Sequence, residues 1–294
     1  MKDFSYWCEY EGASEGSGRS EKIWLINPDN NQTGLFKFKK DIQTTDHISE
    51  CIAYKLACLL NIPCARFDLG VYKDKAGSMS YNIVNKEGML FLEGIHFINY
   101  VYPHYDPEQL LDVETGNKYS IEMIKKALEA YPGICEQFIG VLVFDFLIGN
   151  TDRHQSNWAL ICENDKWRLS SLYDNSSSLC AYLSGNKLET YLGKDMRLWN
   201  SLVDTKSKSL IRIKESDTKM PTHLEVMKHI ADEYYNTAYP YVARIKHNIT
   251  GDKIRNLLSE YSETELSDVK KQIISRFLLS KIEMLTEVFN REEE

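Results

Sequence analysis

IGNTDRHQSNWAL, residues 148–160, places Asp152 and Asn157 five positions apart, with Arg153 and His154 directly behind the aspartate. A second, isolated aspartate, Asp174, follows in LSSLYDNSSS, residues 169–178. A lone carboxylate on a loop can take or orient the proton of an attacking hydroxyl. A second carboxylate and a neutral amide oxygen are hard ligands for divalent cations. Phosphoryl transfer needs this combination, with Asp152 suited to the first role and Asn157 with Asp174 to the second. Two protein oxygens plus the phosphates of ATP suffice for Mg2+, which keeps several of its waters.

The flanks of the loop fit that chemistry. GICEQFIGVLVFDFLIG, residues 133–149, is apolar almost all round and predicts a buried helix that holds the loop at its C-terminal end. NWALICEN and KWRLSSLYD predict two strands joined at Glu163 to Lys166, which carry Asp174 back towards Asn157. The pattern N-x-D-R-H-x-x-N, followed by a strand pair ending in L-Y-D, resembles the bacterial HipA-like serine/threonine kinases. More distantly it is similar to the phosphatidylinositol kinases with their D-R-H loop. Over most of the chain the resemblance implies an α+β, bilobal protein-kinase-like fold, with a small β-rich N-lobe and a large, mostly helical C-lobe. It also implies a catalytic Asp152, magnesium ligands Asn157 and Asp174, and ATP as phosphate donor.

EGASEGSGRSEK, residues 11–22, is rich in Gly and Ser and leads into the strand KIWLIN. Backbone amides in such a loop can surround phosphate oxygens, yet it matches neither Walker A nor a full G-x-G-x-x-G, so a plain surface loop stays open. In the resembling family a G-x-x-E-K segment forms the phosphate loop, and Gly18, Ser20, Glu21 and Lys22 are similar to it. Members can be silenced by phosphorylation of a serine there, which makes Ser14, Ser17 and Ser20 regulatory candidates. NPDNNQTG, residues 27–34, predicts a turn into LFKFKK, where alternation sets Lys37 and Lys39 on one face and Phe36 and Phe38 on the other. The family pattern selects Lys37 as the phosphate clamp, with Lys39 as the fallback and a solvated lysine as the plain alternative.

DHISECIAYKLACLLN, residues 46–61, predicts an amphipathic helix through Ile48, Ile52, Leu56 and Leu59, capped by Thr45 or Asp46 and ended by Asn61. Its Glu50 is either the ion-pair partner of the strand lysine or a carboxylate favoured in the first turn. FDLGVYKDKAGSMSYNIV, residues 67–84, reads as a hairpin turning at Lys73 to Gly77, with an interlobe hinge at Tyr81 to Asn85. His96 and His104 lack metal partners. A helix runs from Ser120 to about Ala130 and breaks at Pro132-Gly133. In the C-terminal third, residues 222–249 predict one helix interrupted near Pro240, and residues 262–289 another that begins with a capping box, Ser262 to Glu265. By its match to a backbone-bracing histidine in the resembling family, His154 is expected to support the loop rather than to accept a proton.

A chain of 294 residues can bury a large core, and with no internal repeat or long linker it reads as one kinase domain, an N-lobe of 1–85 and a C-lobe of 86–294. A net charge of −8 and 43% hydrophobic content argue against a nucleic-acid binder and against disorder. No apolar run of membrane-spanning length, signal peptide or basic amphipathic helix is present, so no membrane contact is expected. Seven cysteines without a CxxC pair point to reduced thiols and a cytoplasmic protein. The functional expectation is an ATP- and Mg2+-dependent kinase of protein Ser or Thr hydroxyls, including its own, with a small antitoxin as a further partner. The chain is expected to lack the extra N-terminal subdomain of HipA toxins, which weakens any transfer of their target. A small-molecule or lipid kinase is the second reading and a nucleotide-binding regulator without turnover the third.

Overall fold

The chain opens on two short strands, β1 (Lys2–Asp3) and β2 (Cys8–Glu9), before the longer pair β3 (Lys22–Ile26) and β4 (Thr33–Phe38). The structure, a computed structural model, describes residues 1–11, 21–41, 43–84 and 88–290, and only the backbone of Asn186 and Lys187. Helix α1 (Asp46–Leu59) follows, then the hairpin β5 (Phe67–Tyr72) and β6 (Lys75–Tyr81). Lys73 and Asp74 both take left-handed φ, 47° and 65°, so a two-residue turn closes the hairpin. That is tighter than the expected Lys73 to Gly77, whose last three residues lie in β6.

Among the described residues these strands form one sheet in the order β1-β5-β6-β4-β3-β2, antiparallel except for β1 on β5. The register sets Lys37 opposite Lys22 on one neighbour and Ser78 on the other, so the three share a face. The opposite face carries Leu25, Phe36 and Met79, covered by Phe4, Trp7, Tyr72 and Tyr81 as a separate small core. Ile48, Ile52 and Leu56 of α1 are buried in the main core, as their spacing predicts. Thr45 makes no side-chain cap; its N–H instead donates to Ala181 O at 3.1 Å. Asn61, at φ 53°, ends the helix as expected.

The second lobe begins with β7 (Leu90–Glu93), α2 (Gly94–Val101) and a short hairpin of β8 (Tyr105–Asp106) with β9 (Leu111–Asp112). Ser120 caps α3 (Ile121–Ala127), which stops three residues before the expected Ala130. Helix α4 (Ile134–Ile148) is the predicted buried helix, bounded by left-handed Gly133 and Gly149. Burying a Leu, Ile or Phe contributes roughly 1.5–3 kcal/mol each, and 12 of its 15 residues are buried, so α4 is the fixed axis of this lobe. Strands β10 (Ala159–Glu163) and β11 (Lys166–Leu169) form the predicted hairpin, and β10 also pairs with β7.

After α5 (Met196–Asn200) and a single π-turn at Ser201–Thr205, the chain enters α6 (His223–Glu233), opened by a Thr222–Glu225 capping box. The break expected near Pro240 falls instead at Tyr234, between α6 and α7 (Tyr235–Asn248). Pro240 sits inside α7, where it removes one backbone donor without ending the helix. Helix α8 (Gly251–Ser259) was not foreseen, and α9 (Asp268–Val288) starts later than its predicted box. The Glu265 carboxylate does accept the Ser262 N–H at 2.7 Å, but that closes a separate turn, and Ser267 caps α9. Helices α6, α7 and α9 pack around α4. No helix among the described residues is long and apolar enough to cross a membrane.

Candidate active site

Where α4 ends, a buried guanidinium holds the following loop together. Arg153, 2% exposed, grips Asp145 of α4 with Nε and Nη2 at 2.9 and 2.7 Å. Its Nη1 donates to Asn157 O at 2.7 Å and to Tyr173 O at 2.9 Å, and Nη2 to Asn175 Oδ1 at 2.7 Å. One planar fork thus ties the helix, the loop and the segment of Asp174 into a single body. Burial disfavours its charge, but the Asp145 carboxylate outweighs that and raises the pKa further. Arg153 is the main brace; His154, expected to brace the loop, adds one bond to its backbone, its Nδ1 accepting the Ser156 N–H at 3.2 Å, and its ring lines the cleft.

Asp152 stands on the open side of this body, its N–H bonded to Asn150 Oδ1 at 3.2 Å. Partial burial raises its pKa, His154 pulls it down, and the Asp174 carboxylate pushes it up, with a net rise. The Asn157 Nδ2 donates to Asp152 O at 2.7 Å, so the amide is fixed and its oxygen is the atom left for a ligand. Asp174 has a left-handed φ of 51°, uncommon outside Gly, Asn and Asp and the kind of strain that collects at functional sites.

From the other lobe, Lys37 Nζ reaches Glu50 Oε1 at 3.0 Å and Asp174 Oδ1 at 3.1 Å. The second Glu50 oxygen accepts the Asn175 N–H at 2.8 Å, so the first-turn reading of Glu50 gives way to the ion pair. Burial disfavours the Lys37 ammonium, but Asp174 and Glu50 together outweigh it and raise its pKa. Burial likewise pushes Asp174 up, and Lys37 overrides it and brings the carboxyl down to about 2. Glu50 stays raised because burial exceeds the help of Lys37 and Asp174 repels it. Lys22, Lys37, Glu50, Asp152 and Asp174 line one cleft of about 620 Å3; Lys39 and Asn157 are not on its wall. Gly18 and Ser20, like Ser14 and Ser17, lie outside the described residues, as does Asn85 of the expected hinge.

An amide oxygen and a carboxylate are the hard donors Mg2+ prefers, and Lys37 supplies a cation for phosphate. Ser78 Oγ and His47 Nδ1, both buried on the cleft wall, have no hydrogen-bond partner among the described residues, though the His47 nitrogen lies 3.8 Å from Asp46 Oδ1. These groups are of the kind that a nucleotide with its metal would need, with Asp174 on the cleft wall and Asn157, buried behind Asp152, as the candidate ligands. Among the described residues no cluster of three His, Cys, Asp or Glu exists to hold an ion without phosphate. His96 is exposed and His104 pairs with Glu114 at 3.2 Å. Sequence reasoning missed Asp145, Asn175 and His223, whose Nε2 lies 2.9 Å from Asn150 O. The signal for Asp145 was there, a charge in the apolar run that fills the second half of the helix, far from Glu136 in its first turn.

The fold is that of the Helicobacter pylori proinflammatory kinase CtkA, with a TM-score of 0.81 over 98% of this chain and 96% of that one, at 17% identity. Shewanella oneidensis HipA, solved with HipB and operator DNA, aligns with a TM-score of 0.55 over 97% of this chain and 69% of its own, at 11% identity. No curated protein matches the chain. The sequence model of the HipA-like C-terminal domain matches residues 14–239. That span runs from the Gly/Ser-rich loop through Lys37 and Asp152 into α7, and on that extent the chain belongs to the HipA-like C-terminal domain family.

Proposed function

We propose that the chain is an ATP- and Mg2+-dependent protein kinase acting on Ser and Thr hydroxyls, its own loop serines included. The observation that carries this reading is the convergence of Lys37, Glu50 and Asp174 across the cleft that also holds Asp152. A magnesium ion held by Asn157 and Asp174 supplies, when bound, neutralisation of charge on the β- and γ-phosphates. Lys37, kept charged and aimed by Glu50, binds phosphate oxygens. Asp152 accepts the proton of the acceptor hydroxyl, and its raised pKa makes it a better base than an ordinary aspartate. Arg153 holds the relative placement of Asp152, Asn157 and Asp174.

The test is transfer of label from γ-labelled ATP with Mg2+ by the wild type, Asp152→Ala and Asp174→Ala, followed by phosphosite mapping. Label on a serine between Glu11 and Lys22, absent from both variants, is the expected result. Tight ATP binding without transfer to any acceptor would sink the kinase reading in favour of a nucleotide-binding regulator. HipA was solved with HipB, and a small antitoxin is the corresponding partner proposed here, tested by co-purification with the neighbouring gene product.

A further inference from the structure

Helix α9 lies outside the residues matched by the family model, and three of its cationic side chains reach backbone carbonyls of one segment. Lys270 Nζ donates to Cys180 O and, at 2.7 Å, to Leu183 O. Arg276 Nη1 donates to Tyr191 O at 2.8 Å. Lys281 Nζ donates to Val203 O at 2.7 Å and to Ser207 Oγ at 2.9 Å. The helix thus fastens residues 180–207, the stretch directly after Asp174 and Asn175, at successive points.

The last of these contacts continues to the catalytic loop. Ser207 Oγ lies 3.0 Å from His223 Nδ1, and His223 Nε2 lies 2.9 Å from Asn150 O. A carbonyl only accepts, so Nε2 carries the proton. Burial, reinforced by the Lys281 charge, brings His223 down to about 3, so the ring is neutral and Nδ1 is an acceptor. Ser207 must then donate to Nδ1, which leaves its lone pairs for Lys281. All the bonds run one way, Lys281 to Ser207 to His223 to Asn150, and each polarises the next. Asn150 in turn accepts the Asp152 N–H through Oδ1.

We propose that Lys281 is a positioning residue that, through Ser207 and His223, couples the seating of residues 201–207 to the backbone presenting Asp152. Its catalytic consequence rests on the kinase reading; the mechanical coupling does not. Lys281 is fully buried over the rings of Phe146 and Phe277, at 4.4 and 5.3 Å from their centroids. Met fills that space without donating.

The experiment compares the full-length wild type, Lys281→Met and Ser207→Ala by hydrogen exchange and by steady-state transfer. Ser207→Ala is expected to speed exchange of the Asn150–Asp152 amides about tenfold, the worth of one lost hydrogen bond, with residues 201–204 still protected. Lys281→Met is expected to speed both regions. In transfer, both lower kcat about tenfold with the KM for ATP unchanged, a split that general loosening would not give. Wild-type exchange at Asn150–Asp152 in Ser207→Ala overturns the coupling, and this variant decides the matter should Lys281→Met not fold. If the wild type transfers no phosphate, the kinase reading fails while the exchange data still decide the coupling.

Discussion

Arg153 shows how much of this site depends on a group that touches no substrate. Its removal strands the Asp145 carboxylate in an apolar helix and frees two carbonyls and an amide. Breaking such a buried pair costs about 3–5 kcal/mol, whereas replacing both partners with apolar residues is often neutral. Arg153→Met is therefore expected to lose about that much in urea unfolding, and Arg153→Met with Asp145→Leu to regain most of it. Neither is expected to regain transfer, because Asn157 and Tyr173 lose their common anchor. Recovery of activity along with stability would show that the fork serves only the fold. Asp152, Asn157 and Asp174 stand out in the sequence as candidates because phosphoryl transfer demands those residue types at a short spacing. Arg153 was visible too, but its role was not, since its partner lies in a run that pattern reading treats as core.

Among the elements, α4 and the loop it launches are joined by Gly149, whose φ of 65° and close approach to Phe277 of α9 admit no side chain. A Cβ there would sit 2.6 Å from the Phe277 ring. Gly149→Ala adds a left-handed penalty of about 1–2 kcal/mol to an overpacking cost of about 1–3 kcal/mol. Thermal unfolding checks the sum, and transfer is expected to fall further than stability because the displaced residues lead into Asp152. Elements with strong period or bounded by glycines, α1, α4 and the β10–β11 hairpin, were readable from sequence. The C-terminal helices were placed less well. Pro240 marks a break only where nothing else holds the helix, and here packing of α7 on α4 does so. The acid of the Ser262–Glu265 box serves a turn, since Ser267 stands closer to the first helical residue.

At the scale of the whole molecule, Lys37 to Asp174, Asn175 to Glu50, and Thr45 to Ala181 join the lobes across the cleft. Burial of Lys281, opposed by Asp204 and Cys180, brings its pKa from 10.5 to about 7. Between those values the unfolded chain binds a proton that the folded one does not, so stability rises with pH across the window. Wild type is expected to gain up to about 1.4 kcal/mol per pH unit from this group, and Lys281→Met to lack that slope when denaturation midpoints are compared from pH 7 to 10. Identical slopes would mean that Lys281 keeps its proton when folded. The clasp of α9 on residues 180–207 has a consequence for how such a protein changes over time. Apart from Ser207 Oγ and Met196 Sδ, the atoms its cationic donors hold are peptide oxygens, which every residue possesses. Side chains along that stretch other than Ser207 and the buried Trp199 and Val203 can therefore be exchanged without losing those bonds. Sequence can drift along that segment while the loop that carries Asp152 stays where it is.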